Sequence, residues 1–400
     1  MIFRFCLYGL LKNQRYFAPF WVLAFLDKGL SFATIGSLIG VREISVTLLE
    51  VPTGAIADTL GRRWAMICSH LAYVAAFFTF AFADNLAALF AGMFAFAVGE
   101  AFRTGTHKAI IFTWLKSQGR ESEKTEIYGR TRSWSQIGSA LSTVIAASLV
   151  FALQDYTAIF WLSAIPASLN VVNFLGYPKE LDGASRESAR LGSVFATIWQ
   201  ATLSCFRSKQ LSRPIAESMG FEGVYTASKD YLQPIIQQMV LAMPILAAWD
   251  ATRRTSMLVA IIYTSLYVLS SVASRRAGRI AERLGGNVAA ARTLWRWFGI
   301  AYFVLLVGTL AGWHIMAVSS FVLLAVLQNI WRPILVSRVA DHADEAALAT
   351  VLSVESQAKS LGAAIAAPII GLAVDLASPH YQFVPIAGLG ILVAVMMGRR

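Results

Sequence analysis

The stretch VPTGAIADTLGRRWAMI, residues 51–67, places Asp58, Arg62 and Arg63 between two long apolar segments. A related stretch, RAGRIAERLGG, returns at residues 276–286 with an acidic residue at the place of Asp58. Charged loops between apolar segments separate helices that cross a membrane. The return of the same loop indicates that the chain contains an internal repeat.

Four short matches in the same order support this repeat. The pairs and their offsets are GAIADTLG (54–61) with GRIAERLG (278–285), 224 residues on; SQIGS (135–139) with SQAKS (356–360), 221 on; EAFR (100–103) with NIWR (329–332), 229 on; and YFAP (16–19) with YLQP (231–234), 215 on. Each match alone is weak, but the nearly constant offset predicts two six-helix halves. We expect these halves at 1–177 and 213–400, joined by a cytoplasmic linker at 178–212.

The composition is that of a membrane protein. Hydrophobic residues make up 57% of the chain, charged residues 14%, and the mean hydropathy is +0.59. The net charge of +11 does not indicate nucleic-acid binding, because most basic residues lie in short loops between apolar segments rather than on a solvated face. The lipid bilayer is therefore the expected partner.

Apolar runs and their Gly, Pro and charge boundaries predict an all-α membrane protein with twelve transmembrane helices in two pseudo-symmetric six-helix bundles. The predicted helices, numbered 1 to 12 in chain order, are 3–26, 32–56, 64–82, 86–110, 133–153, 157–177, 213–237, 255–274, 293–311, 314–337, 350–374 and 381–397. The match of Tyr16 with Tyr231 places residues 12–15 inside helix 1, although they are polar.

Basic residues predict the orientation. They concentrate in the loops and chain ends on one side, and only Lys28, Arg253 and Arg254 lie on the other. By the positive-inside rule both termini are cytoplasmic. The short loops and termini favour a bacterial inner membrane.

The two charged loops resemble the loop signature of the major facilitator superfamily (MFS), and the resemblance covers the whole chain. The residues that carry it are Gly54, Asp58, Gly61, Arg62 and Arg63 in the first half and Gly278, Glu282 and Gly285 in the second. Thr59 departs from the signature, which usually has a basic residue there. The resemblance implies two gating loops, with Asp58 latching helix 2 against helix 11 in the outward-facing state. Arg62 and Arg63 have a simpler interpretation as topology anchors.

Several predicted helices contain basic residues. Nine of the basic residues within these helices are Lys12, Arg15, Arg42, Arg103, Lys108, Lys229, Arg296, Arg332 and Lys359. Each costs roughly 3 kcal/mol at a lipid-facing helix centre, so all of them need partners or water. Helical spacing predicts pairs of Glu100 with Arg103 and of Glu355 with Lys359. Arg42 and Glu43 are adjacent, so we expect other partners for them.

The resemblance also implies that helices 1, 4, 7 and 10 line a central cavity. These helices carry Arg15, Arg103, Lys229 and Arg332. Arg103 and Arg332 are equivalent in the repeat, which suits bidentate capture of a carboxylate or phosphate. Gln136 and Gln357, also equivalent, are expected as polar substrate contacts. The alternative is structural: the arginines are neutralised by Glu100 or Asp230, and the glutamines join helices.

Proton coupling needs a carboxylate that binds and releases a proton near neutral pH, which burial favours. The candidates are Glu50, Glu100, Glu222, Asp230 and Glu355. Glu100 and Glu222 are favoured because they lie on helices expected to line the cavity.

The sequence thus predicts a monomeric secondary transporter that moves a small solute by alternating access, with proton-coupled efflux favoured. The first alternative is proton-coupled uptake of an anionic or zwitterionic metabolite. The second is a non-transporting membrane sensor or assembly partner. No G-x-S-x-G, H-E-x-x-H or P-loop motif occurs, so the chain is not expected to be an enzyme. Cys6, Cys68, Cys205 and the scattered histidines have no metal spacing, and no metal or cofactor is predicted.

Overall fold

The computed structural model describes residues 1–182, 202–203, 205, 207–244, 246–343 and 348–398. The α-helices in this part are α1 Ile2–Lys12, α2 Trp21–Asp27, α3 Phe32–Leu60, α4 Arg62–Phe82, α5 Leu86–Arg103, α6 Thr106–Ser117, α7 Lys124–Leu153, α8 Thr157–Leu175, α9 Lys209–Ser228, α10 Leu232–Ala242, α11 Ala251–Arg283, α12 Asn287–Leu310, α13 His314–Ala340, α14 Leu348–Leu376 and α15 Val384–Gly398. Helices suit apolar segments in lipid because every backbone N–H and C=O is paired within the segment.

The predicted fold class is confirmed. Within the described residues there is no strand, and nine helical segments are long and apolar enough to cross a membrane. Predicted helix 1 is not among these nine because it is interrupted, and helix 12 is not because α15 has 15 residues. Predicted helix 7 is not among them because it is too polar, with charged residues at Arg213, Glu217, Glu222, Lys229 and Asp230. The number twelve therefore stays a prediction.

Predicted helix 1 is interrupted where its polar residues lie. Helix α1 ends at Lys12, and α2 begins only at Trp21. Between them the side chain of Asn13 donates to the Ser135 carbonyl at 2.8 Å, and that of Gln14 to the Gly138 carbonyl at 3.0 Å. These side chains bond to the backbone of α7, which stabilises a non-helical connection.

The second half is interrupted at the equivalent place. Residues Lys229–Tyr231 form a 3-10 turn between α9 and α10, and Tyr231 matches Tyr16 in the repeat. A 3-10 stretch inside a longer helical segment replaces the i→i+4 hydrogen bonds of the α-helix with i→i+3 bonds. Both halves therefore interrupt their first predicted helix at the same position of the repeat.

The chain divides into two compact units, one of Met1–Ala24 and Ile44–Phe195, the other of Phe25–Glu43 and Ala196–Arg400. In the first unit α1 and α7 pack backbone to backbone: a Cβ on Gly9 would lie 2.6 Å from the Thr131 carbonyl oxygen. Only glycine permits this approach, as is common where membrane helices cross closely.

The beginning of α3 belongs to the second unit, where it packs on α14. Asp375 at the end of α14 accepts hydrogen bonds from the backbone N–H groups of Phe32 at 3.0 Å and Ala33 at 2.7 Å. A Cβ on Gly36 would overlap the carbonyl of Ala367. A carboxylate from another helix thus caps the N-terminus of α3, where free N–H groups favour negative charge.

Candidate functional site: two charge clusters

The first signature loop is held by a residue of the predicted linker. Asp182 accepts a hydrogen bond from the backbone N–H of Arg63 at 2.8 Å, and its other oxygen lies 3.7 Å from Arg63 Nε. Arg63 also donates to the Tyr177 carbonyl. Gly61 has a φ of +103°, and a Cβ there would lie 2.8 Å from the Asp182 carboxyl carbon. The loop therefore needs glycine at 61 for both conformation and space.

Replacing Asp182 with alanine should destabilise the protein by about 1 kcal/mol, since an N-terminal N–H of α4 loses its acceptor. Thermal unfolding of the detergent-purified protein measures the change. D182N retains an acceptor oxygen and should keep most of the stability, and E180A, at the exposed neighbour Glu180, should stay within about 0.5 kcal/mol of the wild type. Equal stability of D182A and the wild type would refute the capping role.

The other gating-loop residues are placed as follows. Arg62 donates to the hydroxyl of Thr113 at 2.8 Å. A Cβ on Gly54 or Gly278 would meet nothing within 4 Å, and Gly285 has a φ of +88°; Glu282 is exposed. The Asp58 side chain lies outside the described part of the structure, so its latch role stays a prediction.

The first charge cluster consists of Arg15, Glu100, Arg103 and Tyr73, all in the first unit. Glu100 Oε1 accepts from Arg15 Nη2 at 2.6 Å and from the Tyr73 hydroxyl at 2.8 Å, while its Oε2 accepts from Arg103 Nη2 at 2.5 Å. The Tyr73 hydroxyl in turn accepts from Arg103 Nε at 3.0 Å. One carboxylate therefore joins two guanidinium groups.

The arginines of this cluster keep an accessible face. Their side chains are 26% exposed for Arg15 and 23% for Arg103, against 17% for Glu100. The Arg15 guanidinium lies over the rings of Tyr73 and Phe96, 5.1 and 5.3 Å from their centroids. Ring faces attract a cation and fix its orientation. The cluster is a rigid, partly open cationic surface.

The second charge cluster consists of Arg332, Glu222, Glu355 and Ser218, all in the second unit. Arg332 Nη1 lies 2.6 Å from Glu355 Oε1 and 3.2 Å from Glu222 Oε2. Ser218 also donates to Glu355 Oε1. The carboxylate side chains are 3% and 0% exposed, whereas that of Arg332 is 35% exposed. Two buried carboxylates therefore share one cation that has an open face.

Each of these two carboxylates has an oxygen without a donor. Within the described residues, Glu222 Oε1 and Glu355 Oε2 are buried and have no hydrogen-bond partner. The charge of Lys359 acts on Glu222 from a longer distance, and no ion pair joins these two residues in the described part of the chain. A buried anionic oxygen without a donor is costly, and binding a proton removes that cost. The second cluster is therefore suited to hold a proton.

The repeat relates the two cationic positions but not their partners. Arg103 and Arg332 match, yet Glu100 precedes Arg103 on the same helix, whereas Glu222 and Glu355 reach Arg332 from α9 and α14. The first cluster has more cations than carboxylates, and the second has more carboxylates than cations in direct contact. The two halves have thus diverged in charge at an equivalent position.

The other predicted site residues lie outside these clusters. Lys229 and Gln136 are exposed, and Asp230, Glu50 and Gln357 are half-buried. Their predicted roles in binding substrate or protons stay predictions.

Two local predictions of charge pairing differ from the structure. Arg42 does contact its neighbour, with Nη2 2.8 Å and Nε 3.1 Å from Glu43 Oε1, because a long arginine side chain can fold across the helix surface. Glu355 binds Arg332 rather than Lys359 among the described residues. Sequence spacing shows which side chains share a helix face, but not what a neighbouring helix brings.

Sequence reasoning missed Tyr73, Ser218 and Asp182. Tyr73 lies in a largely apolar run, and its polar neighbours Ser69 and His70 carry no charge pattern that points to Glu100. Ser218 does lie four residues before Glu222 on α9, which is a detectable pattern. No group of three or more potential metal ligands occurs in the described residues, and His107 packs against Tyr8 at 3.9 Å between ring centroids.

The family model of the Major Facilitator Superfamily matches residues 4–291. An uncharacterized MFS-type transporter, YxaM, of Bacillus subtilis (strain 168) is 28% identical over 99 residues, which are 25% of this chain and 24% of that protein. The match thus spans about a quarter of this curated relative.

Solved transporters share the fold over nearly the whole chain. The nucleoside transporter NupG superposes with a TM-score of 0.76 at 14% identity, covering 99% of this chain and 96% of that one. A POT family transporter in complex with a thioalcohol-conjugated peptide gives 0.72 at 15% identity, covering 99% and 94%. These likenesses concern the fold, and together with the family match they indicate a transporter rather than an enzyme.

Proposed function

Because the chain belongs to the major facilitator superfamily and is a membrane transporter, we propose that it couples a proton to the movement of a small anionic solute. The observation that carries this proposal is the sharing of Arg332 by two buried carboxylates, Glu222 and Glu355. The accessible arginines Arg15 and Arg103 supply the attraction for the anion. Secondary transporters bind substrate and coupling ion near the bilayer midplane and expose them alternately to each side.

The proton binds to the Glu222 and Glu355 pair. When both carboxylates are ionised, they compete for one guanidinium, and each keeps a buried oxygen to which no described residue donates. One proton neutralises one carboxylate and leaves the other paired with Arg332. This is the usual outcome when two carboxylates share a buried site.

Proton binding also prepares Arg332 for an anion. Once one carboxylate is neutral, the guanidinium has fewer anionic partners, and its 35% exposed face can attract a carboxylate or phosphate. The proton and the anion then load together, and a proton gradient directed inward drives uptake. This arrangement of charges supports uptake of an anion over the efflux that the sequence analysis favoured.

Proton-coupled efflux of a cation is the second candidate. It is favoured by one observation, the excess of carboxylates over cations in direct contact within the second cluster. A cationic solute would displace the proton from Glu222 or Glu355, which gives exchange. We rank it second because these carboxylates are 3% and 0% exposed, whereas the arginines have open faces.

Transport by reconstituted vesicles tests the coupling. Labelled succinate is the probe, and the vesicles are made alkaline inside. We expect the wild type to accumulate succinate against its gradient, and E222Q and E355Q to lose that accumulation while they still exchange succinate at equal pH, since glutamine cannot carry the proton.

E43Q is the matched control, because Glu43 is also a shielded carboxylate of the second unit, with a side chain 13% exposed and an arginine of its own. It should accumulate succinate like the wild type. Full accumulation by the E222Q/E355Q double variant would contradict the assignment. Accumulation of the cation tetraphenylphosphonium with the opposite pH gradient, in place of succinate, would establish efflux.

We also propose that the termini are cytoplasmic, that the membrane is a bacterial inner membrane and that the protein is a monomer. The concentration of basic residues on one side supports cytoplasmic termini, the short loops support a bacterial inner membrane, and a complete set of charge clusters in one chain supports a monomer. The residues paired in the clusters support transport over a sensor role, since a sensor needs no proton site.

A further inference from the structure

The first charge cluster has a third cation close by. Lys12 ends α1, three residues before Arg15, and its Nζ lies 5.4 Å from the centroid of the Tyr8 ring. The charged groups that act on it are Arg103, Arg15, Glu100 and Arg132. In the part of the chain that the structure describes, no carboxylate lies within ion-pair distance of Lys12.

Among the residues that the structure describes, the surrounding elements add no second carboxylate. On α6 the group beside Lys12 is His107. The other groups whose charge acts on His107 are His70 of α4 and Arg103 of α5. Within the described part of the chain, Glu100 is therefore the one carboxylate that balances Lys12, Arg15 and Arg103, which leaves a formal charge of +2. Surplus charge of this size in a membrane domain is costly unless a counter-ion offsets it.

We infer that Lys12, Arg15 and Arg103 bind a doubly charged oxyanion, so that the transported anion is a dicarboxylate or a phosphate compound rather than a monocarboxylate. This inference rests on the proposed function and names its substrate class. Two planar guanidinium groups bind oxyanions through paired N–H donors, and the lysine adds a mobile point charge. Two negative charges on the ligand match the surplus.

Lys12 is the residue that sets the preference for two charges. The arginines are already partly neutralised by Glu100 at 2.6 and 2.5 Å, whereas Lys12 lies over the Tyr8 ring and has no carboxylate partner among the described residues. A monoanion is satisfied by the arginines, and the second charge of a dianion is free to pair with the ammonium group. Removing Lys12 should therefore affect dianions selectively.

Calorimetric titration of the detergent-purified protein tests this, with inorganic phosphate, succinate and acetate as probes. We expect succinate or phosphate to bind at least about tenfold more tightly than acetate, which corresponds to 1.4 kcal/mol. In K12Q, succinate and phosphate should bind about as tightly as acetate, and acetate affinity itself should not change. K12R keeps the charge and should retain the preference, which shows that K12Q acts through charge rather than through misfolding.

K108Q is the matched control, because Lys108 also lies over aromatic rings, those of Phe112 and Tyr128. It should bind the probes like the wild type. Unchanged succinate and phosphate affinity in K12Q, or acetate that binds as tightly as the dianions, would overturn the inference.

The same titration separates this inference from the proton site. In the E222Q/E355Q double variant, K12Q should still lower dianion affinity, whether or not transport is coupled. If E222Q/E355Q loses coupled transport while K12Q still lowers dianion affinity, the inferred substrate class stands. If K12Q leaves dianion affinity unchanged while E222Q/E355Q loses coupled transport, the proposed proton site stands.

Discussion

Replacing Glu100 with glutamine should lower the free energy of unfolding by about 3–5 kcal/mol, the cost of leaving a buried ion pair without its partner. Arg15 and Arg103 both depend on this carboxylate, at 2.6 and 2.5 Å. Tyr73 loses its acceptor as well. Because the arginines are about a quarter exposed, we expect a value near the lower end of this range.

Thermal or denaturant unfolding in detergent measures the loss. The matched control is the double variant E100Q/R15Q, in which one of the two orphaned cations is also removed, and it should recover part of the stability because the two changes are coupled. Stability of E100Q within about 0.5 kcal/mol of the wild type would show that solvent already screens the cluster.

Replacing Arg332 with glutamine should abolish gradient-driven transport and destabilise the protein by a similar amount, about 3–5 kcal/mol. Glu222 and Glu355 are more deeply buried than Glu100, with side chains 3% and 0% exposed. Without Arg332, Glu355 keeps the hydroxyl of Ser218 as a donor, and Glu222 keeps none that the described residues supply. Ionised carboxylates in this position lack any direct counter-charge.

The triple variant R332Q/E222Q/E355Q removes the charges together and should regain most of the stability, but no coupling. A buried ion pair can often be replaced as a set without loss, whereas removal of one member is costly. R332Q that folds as stably as the wild type, or that still accumulates succinate, would refute the role of Arg332.

The sequence predicts the helical class and the repeat because both depend on local patterns. Apolar runs and their charged boundaries indicate helices, and the offset between EAFR and NIWR identifies Arg103 and Arg332 as equivalent. The interruption of predicted helix 1 is visible in the sequence only as the polar residues near Tyr16. Its cause, side-chain bonds to the α7 backbone, depends on which helix packs beside it.

The partners of the charges were not predictable in the same way. Glu355 was expected to pair with Lys359 on its own helix, and it pairs with Arg332 of α13 instead. Asp182 reaches the loop 119 residues before it. Such contacts depend on how one helix is rotated against its neighbour, and this rotation cannot be read from a single sequence.

Infrared difference spectroscopy of the reconstituted protein can show whether Glu222 and Glu355 hold one transported proton. The spectra are recorded while the pH is changed across neutrality, and the C=O stretch of a protonated carboxyl group is followed. We predict one such band that appears as the pH falls, is retained in E43Q, and is lost in the E222Q/E355Q double variant. A band that persists in the double variant would show that the proton binds to another carboxyl group.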